Sequence, residues 1–302
     1  MSEEEERKKK IAEIAEEVEK LKELQKTKGI EIQMDLDVFS KARPDTSLQD
    51  LSGIAEKSRE YLQQIGKQAY SEEMKTEEAI DETLKMLSNV EANAKWKEPY
   101  LEVNLLLEWA TYRAFCGMGA EVPPGYGPLL NTDGTEPIFT APGDKPDLIA
   151  EFDSIVLVVE ETISSGSRQY ESEGEPVTRH VAQAVKDYRE REDARPVMGV
   201  FIARELNNNV LDYFLVHFSR HKHWICDDFL FIIPMEVSDF RGILKASAEG
   251  HLQIPEAIAE LYSELNQWRD EGICSECETC CILYEQWVSE IDELVDGLKT
   301  GQ

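Results

Sequence analysis

Two apolar runs joined by a two-residue turn constrain this chain more than any other feature. Asp147–Phe152 and Ile155–Glu161 flank Asp153-Ser154. Runs of this length around a short polar break read as a β-hairpin. The second run is apolar at every position from Ile155 to Val159. That pattern belongs to a strand buried on both faces, inside a sheet covered by other elements. With the turn at 153–154, the numbers of facing residues sum to about 307, which sets Asp147 directly across from Glu160. Two opposed carboxylates repel. Either they lie on a solvated sheet face, or a bound cation offsets the repulsion. Thr162, two residues past Glu160, points to the same side if the strand continues.

The remaining elements place this hairpin in an α/β chain. Helical periodicity covers 3–27, where Ile11, Ile14, Val18, Leu21 and Leu24 recur at spacings of three and four. This stripe fits one helix of a bundle or a dimerising coiled coil. Periodicity returns at 47–66 and 71–93, so residues 1–95 read as an all-helical region, a contact surface for a partner or a second copy. Tyr100–Gly117 reads as a buried helix. Residues 119–145 form a Gly- and Pro-rich loop with a short strand near Ile138–Thr140. After the hairpin come a helix over Glu175–Arg191, with Pro176 in its first turn, and a strand over Val197–Ala203. A helix over Val210–Phe218 and a strand over Phe229–Pro234 follow. Residues 96–248 thus make a core with a mixed sheet. Helices at 255–271 and 282–299 fall in a C-terminal part, 249–302, that carries a cysteine cluster.

Composition bears on function through charge. The 302 residues carry a net charge of −29. The deficit is concentrated in the second region, with −7 over residues 1–100 and −22 over 101–302. Phosphate-binding surfaces normally gather Lys and Arg, so this chain is poorly equipped to hold DNA alone. A salt-tolerant source or a more basic partner subunit would each account for the acidity. A compact basic spot is formed by His217, Arg220, His221, Lys222 and His223, a candidate phosphate contact. No apolar run is long enough to span a bilayer. The charged start, Met1-Ser2-Glu3-Glu4-Glu5-Glu6, lacks a secretory pattern, and the expected compartment is the cytoplasm.

Pro146-Asp147, a strand–turn–strand, and Val159-Glu160-Glu161-Thr162 resemble the core of a PD-(D/E)xK nuclease, with Thr162 where that pattern usually has Lys. The longer stretch VEETISSGSRQYESEGEPVTRH (159–180), with RPVMGVFIARELNNN (195–209), resembles the AlwI family of type IIS restriction endonucleases. The likeness covers roughly residues 95–245. It implies a restriction-endonuclease-like fold and Mg2+-dependent hydrolysis of double-stranded DNA, with Asp147, Glu160 and Glu173 as the acidic site. It further implies a contribution from Glu108, on the helix before the core. Glu161 departs from the apolar residue usual at its position. Arg168 is a candidate phosphate ligand or a plain surface arginine. Relatives of this kind carry a DNA-recognition region, and none is legible here. The expectation is therefore a cleavage subunit that works with a recognition subunit or as a homodimer. A non-catalytic assembly protein on a nuclease-like fold is the alternative, and a DNA-repair or mobile-element nuclease is a third reading.

Cys274, Cys277, Cys280 and Cys281 form a Cys-x2-Cys-x2-Cys-Cys run. Four thiolates suit Zn2+, the spacing also opens a ferredoxin-type motif, and free or disulfide-forming thiols are the third reading. His251 or Cys226 would complete a zinc site.

Overall fold

The computed structural model describes residues 3–28, 39–94, 96, 101–123, 125–130, 136–141, 143–250, 254–272 and 282–300. The cysteine run and His251 lie outside the described residues. Two compact units are present, Met1–Glu73 with Leu130–Glu136, and Met74–Leu129 with Pro137–Gln302.

The first unit is helical. Helix α1 (Glu3–Lys28) and helix α2 (Leu48–Met74) supply a small core. Ile14, Leu51, Ile54 and Ala55 are buried there, with Ile11 and Val18 packed on their edge. Ile11, Ile14 and Val18 of α1 are thus covered from within the chain.

The second unit begins earlier than residue 95. Thr76 caps helix α3 (Glu77–Glu91), its hydroxyl accepting from the Ala79 N–H at 3.3 Å. The apolar face of α3, with Met86, Leu87 and Val90 fully buried, belongs to the sheet-bearing unit. Helix α4 (Val103–Gly117) is apolar almost all round, as a helix buried on every side must be. Its one buried cation, Arg113, reaches α3, where it donates to Glu82 Oε2 at 2.8 Å, Thr83 Oγ1 at 3.0 Å and the Ala79 carbonyl at 3.2 Å.

Strands β1 (Leu129–Leu130) and β2 (Pro137–Phe139) form a two-stranded ribbon. The main sheet is mixed, in the order β3 (Leu148–Glu151), β4 (Val156–Thr162), β5 (Val197–Ala203), β6 (Ile232–Glu236). β3 and β4 are antiparallel with Leu148 opposite Val159, the register the hairpin spacing predicts. β4–β5 and β5–β6 are parallel, joined by helices α5 (Ser167–Glu190) and α6 (Asn208–Ser219).

Helix α5 starts eight residues before the position expected from Pro176. Gly166, at φ 63° and ψ −149°, turns the chain out of β4 in a conformation that side chains disfavour, and the helix follows at once. Pro176 therefore lies inside the helix, where it removes one backbone donor. Strand β6 likewise begins three residues later than expected.

Helix α7 (Val237–Ala248) follows β6 directly. Helices α8 (Ile254–Glu271) and α9 (Tyr284–Thr300) belong to the same unit as the sheet. Trp287, Ile291, Val295 and Leu298 of α9 are buried, and Lys299 pairs with Asp239 of α7 at 2.9 Å. Tyr262 of α8 packs on Phe231, ring centroids 4.7 Å apart. Among the described residues no helix is long and apolar enough to cross a membrane.

The sheet–helix packing leaves no spare volume at Gly199 of β5. A Cβ there would stand 2.8 Å from both Ile232 Cγ1 and Val181 Cγ2. Gly199→Ala should cost about 1–3 kcal/mol by overpacking, read as a lower urea midpoint with an unchanged slope.

Candidate active site

The hairpin register puts Asp147, one residue before β3, level with Glu160. The Asp147 carboxylate accepts from the Glu161 N–H at 2.9 Å, which ties it to the end of β4. Its backbone carbonyl accepts from Gly127 at 2.8 Å. Burial, and after it the charge of Glu173, pushes Asp147 up to about 6, against the bond from Glu161.

Glu160 is 6 % exposed and meets His180 Nδ1 at 2.6 Å. Burial, then Asp147 and Glu173, pushes its carboxyl well above the usual range. His180, on α5, is itself buried, and burial together with Arg179 holds its pKa below the ordinary value. When Glu160 is ionised it only accepts, so the neutral imidazole donates through Nδ1. That fixes the tautomer and leaves Nε2, which is buried, without a hydrogen-bond partner.

Thr162 closes β4 and is buried. Its hydroxyl donates to Glu173 Oε1 at 2.9 Å and accepts from the Ser164 N–H at 3.0 Å. Ser172 also donates to Glu173 Oε1, at 3.0 Å. Thr162 thus sets the direction of a carboxylate and supplies no charge. Glu173 and His180 lie two turns apart on α5 and face the same strand end.

Glu108 approaches from α4. Its Oε2 accepts from the Ala141 N–H at 2.7 Å. Burial, then the charge of Asp147, pushes it up to about 7. Glu161 is the fifth carboxyl. Burial, then Asp147 and Glu108, raises it well above the usual range, and its Oε2 is enclosed without a hydrogen-bond partner. Five acids therefore share one strand end, and the cation whose charge reaches Glu160 is Arg179, itself bonded to Glu175 at 3.2 Å.

Gln169 holds the two loops beside this cluster. It is fully buried, donates from Nε2 to the Ser164 and Glu205 carbonyls at 2.9 and 2.8 Å, and accepts from the Asn207 N–H at 2.8 Å. Arg168 is exposed on the first turn of α5. Cys226, buried against the His223 and Asp228 carbonyls, is a free thiol.

The sequence reading missed His180 as a partner of Glu160. The signal was its seven-residue spacing from Glu173, which becomes meaningful only when both lie on one helix.

A magnesium site needs hard oxygen donors. The donor set here is all carboxylate, and burial with mutual repulsion holds Asp147, Glu160, Glu161 and Glu108 back from ionising, an imbalance that a cation offsets. Among the described residues no three Asp, Glu, His or Cys side chains already converge as a finished ligand set. The residues fit the ion by chemistry and charge, and ligand closure would accompany binding.

Among solved structures, the small subunit (R.BspD6I2) of the heterodimeric restriction endonuclease R.BspD6I is similar in fold. The TM-score is 0.51 at 18% identity, over 71% of this chain and 97% of that one. No curated protein matches the chain. Residues 4–243 match the AlwI restriction endonuclease family from the N-terminal helix through the sheet. With most of its length accounted for in that way, the chain belongs to the AlwI restriction endonuclease family.

Proposed function

We propose that this chain is the cleavage subunit of a restriction endonuclease and hydrolyses phosphodiester bonds of double-stranded DNA with Mg2+. The observation that carries this reading is the five-carboxyl cluster at the end of β4, whose burial and mutual repulsion call for a divalent cation. Asp147 and Glu160 would hold the ion, with Glu173 and Glu108 beside them. When bound, it supplies Lewis-acid activation of the phosphate and of the attacking water.

The side chains divide the rest of the work. His180 holds Glu160 in one orientation through the 2.6 Å bond. Thr162 and Ser172 aim Glu173. Glu108, at about 7, is matched to proton transfer near neutral pH. The burial of Glu160 strengthens the charge interactions within the cluster.

The partner reading rests on two further supports. The similar solved chain is, by its title, the small subunit of a heterodimer, and this chain spans nearly all of its length. The net charge of −29 calls for a more basic companion to hold DNA. We assign residues 74–250 to the nuclease core, the helical first unit to subunit contact, and the site of action to the cytoplasm. Metal content of the purified chain separates the zinc, iron–sulfur and free-thiol readings of Cys274, Cys277, Cys280 and Cys281.

Calorimetric titration tests the metal site. The wild type should bind Mn2+ or Mg2+ with release of protons, because carboxyls that are partly protonated must ionise. His180→Ala, which frees Glu160, should weaken binding roughly tenfold to a hundredfold. A folded wild-type chain that takes up neither ion would overturn the reading.

A further inference from the structure

The carboxylate chemistry leaves unused a ladder of rings on the neighbouring surface. Tyr170 of α5 meets Tyr213 of α6 edge-on at 5.9 Å, and Tyr213 meets His217 at 5.0 Å. His217 meets His223 at 5.3 Å, and His223 stacks on Trp224 at 6.0 Å. The series ends in an indole that is 83 % exposed. So large an apolar ring buries almost nothing within this chain, and an anchor of that kind is characteristic of a binding surface.

Two observations say what covers it. Arg220, His221 and Lys222 stand exposed just before Trp224, and they form a compact basic spot in a chain whose net charge is −29. The complementary surface is therefore anionic. The ladder also starts at the catalytic helix. Gly174, next to Glu173, lies against both Tyr170 and Tyr213, where a Cβ would stand 3.5 Å from each ring. Glu175 is close enough for its charge to act on both His180 and His223. Burial, then His223, pushes His217 down to about 4, so near neutral pH it is an uncharged ring of the ladder.

We propose that Trp224 with Arg220 and Lys222 forms a nucleic-acid contact that grips the DNA strand running into the carboxylate site, the indole packing on deoxyribose and the cations meeting phosphates. This placement of the scissile strand rests on the cleavage reading above. It gives an acidic subunit its own local hold on DNA, beside whatever a companion subunit supplies. Aromatic contacts of this kind tolerate any sequence, so the patch positions DNA and does not select a site.

The test is fluorescence anisotropy of a labelled 30-base-pair duplex with the full chain at low salt, Ca2+ replacing Mg2+. Trp224→Ala should weaken binding roughly tenfold. The double change Arg220→Ala with Lys222→Ala should lower the slope of log K against log salt by about two. Both variants should keep the wild-type unfolding midpoint and the wild-type Mn2+ affinity. The proposal is overturned if the wild type does not bind the duplex, or if both variants bind like wild type. It is also overturned if Trp224→Ala alters only sedimentation, which would make the patch a protein contact. Failure of the cleavage reading is distinguishable, because a Glu160→Gln chain that cuts like wild type removes the carboxylate mechanism and leaves the binding result untouched.

Discussion

Asp147→Asn and Glu160→Gln should each cut DNA roughly a hundredfold to a thousandfold more slowly than wild type while folding more stably. The loss follows from removing a charged oxygen that would hold the metal on the proposed reading, an effect of about 3–4 kcal/mol on the barrier. The gain follows from the same charges. Asp147, Glu160, Glu161 and Glu173 repel one another in a buried cluster, and a neutral isostere relieves that repulsion while keeping the volume. Activity and stability are expected to move in opposite directions, as at sites where function is bought with strain. Urea unfolding without metal, beside single-turnover cleavage with Mg2+, reads both. A variant that loses stability along with activity would show that these carboxylates are structural.

The second large effect is on pH dependence. Glu108 at about 7 and Asp147 at about 6 lie above the values that the same groups have in an unfolded chain. Between the unfolded and folded values the folded chain holds more protons, so its stability falls as pH rises. The contribution is fully present below about pH 4 and is lost as pH climbs to about 7. Summed over the two groups, this should remove up to about 6 kcal/mol, roughly 10 °C in Tm. Divalent metal should reverse the trend, raising Tm little at pH 5 and by several degrees at pH 7.5, since it binds the ionised acids. Glu108→Gln should flatten the metal-free profile. Thermal melts at a series of pH values, with and without Mg2+, carry the comparison.

Much of the fold and site was legible in the sequence because hairpins are local. The turn at Asp153-Ser154 and the apolar run behind it set the register that brings Asp147 level with Glu160. Parallel pairing was legible only as a class. Nothing local in Val197–Ala203 says that it lies beside β4, a neighbour chosen by packing of α5 and α6.

Two misreadings have physical causes. Pro176 suggested a helix start because proline suits a first turn, whereas Gly166 and the buried Gln169 clamp begin the helix at Ser167. Proline's cost of one hydrogen bond is borne inside a long helix whose face is buried. That longer helix carries Glu173 and His180 together, and with it the bond to Glu160 that sequence reasoning missed. Helix α3 was assigned to the N-terminal region because its chain neighbours are helices. Its buried face, Met86, Leu87 and Val90, instead belongs to the sheet-bearing unit, a choice of partner that periodicity cannot encode.

The central claim is that this acidic chain cuts DNA by holding a divalent cation between Asp147 and Glu160. Nicking of supercoiled plasmid tests it most directly, with wild type and Glu160→Gln compared in Mg2+ and in EDTA. The account predicts nicking by the wild type in Mg2+, none in EDTA, and a rate at least roughly a hundredfold lower for Glu160→Gln. Nicking by Glu160→Gln at the wild-type rate, or a folded wild-type chain that never nicks in Mg2+ even with its companion subunit present, would contradict it.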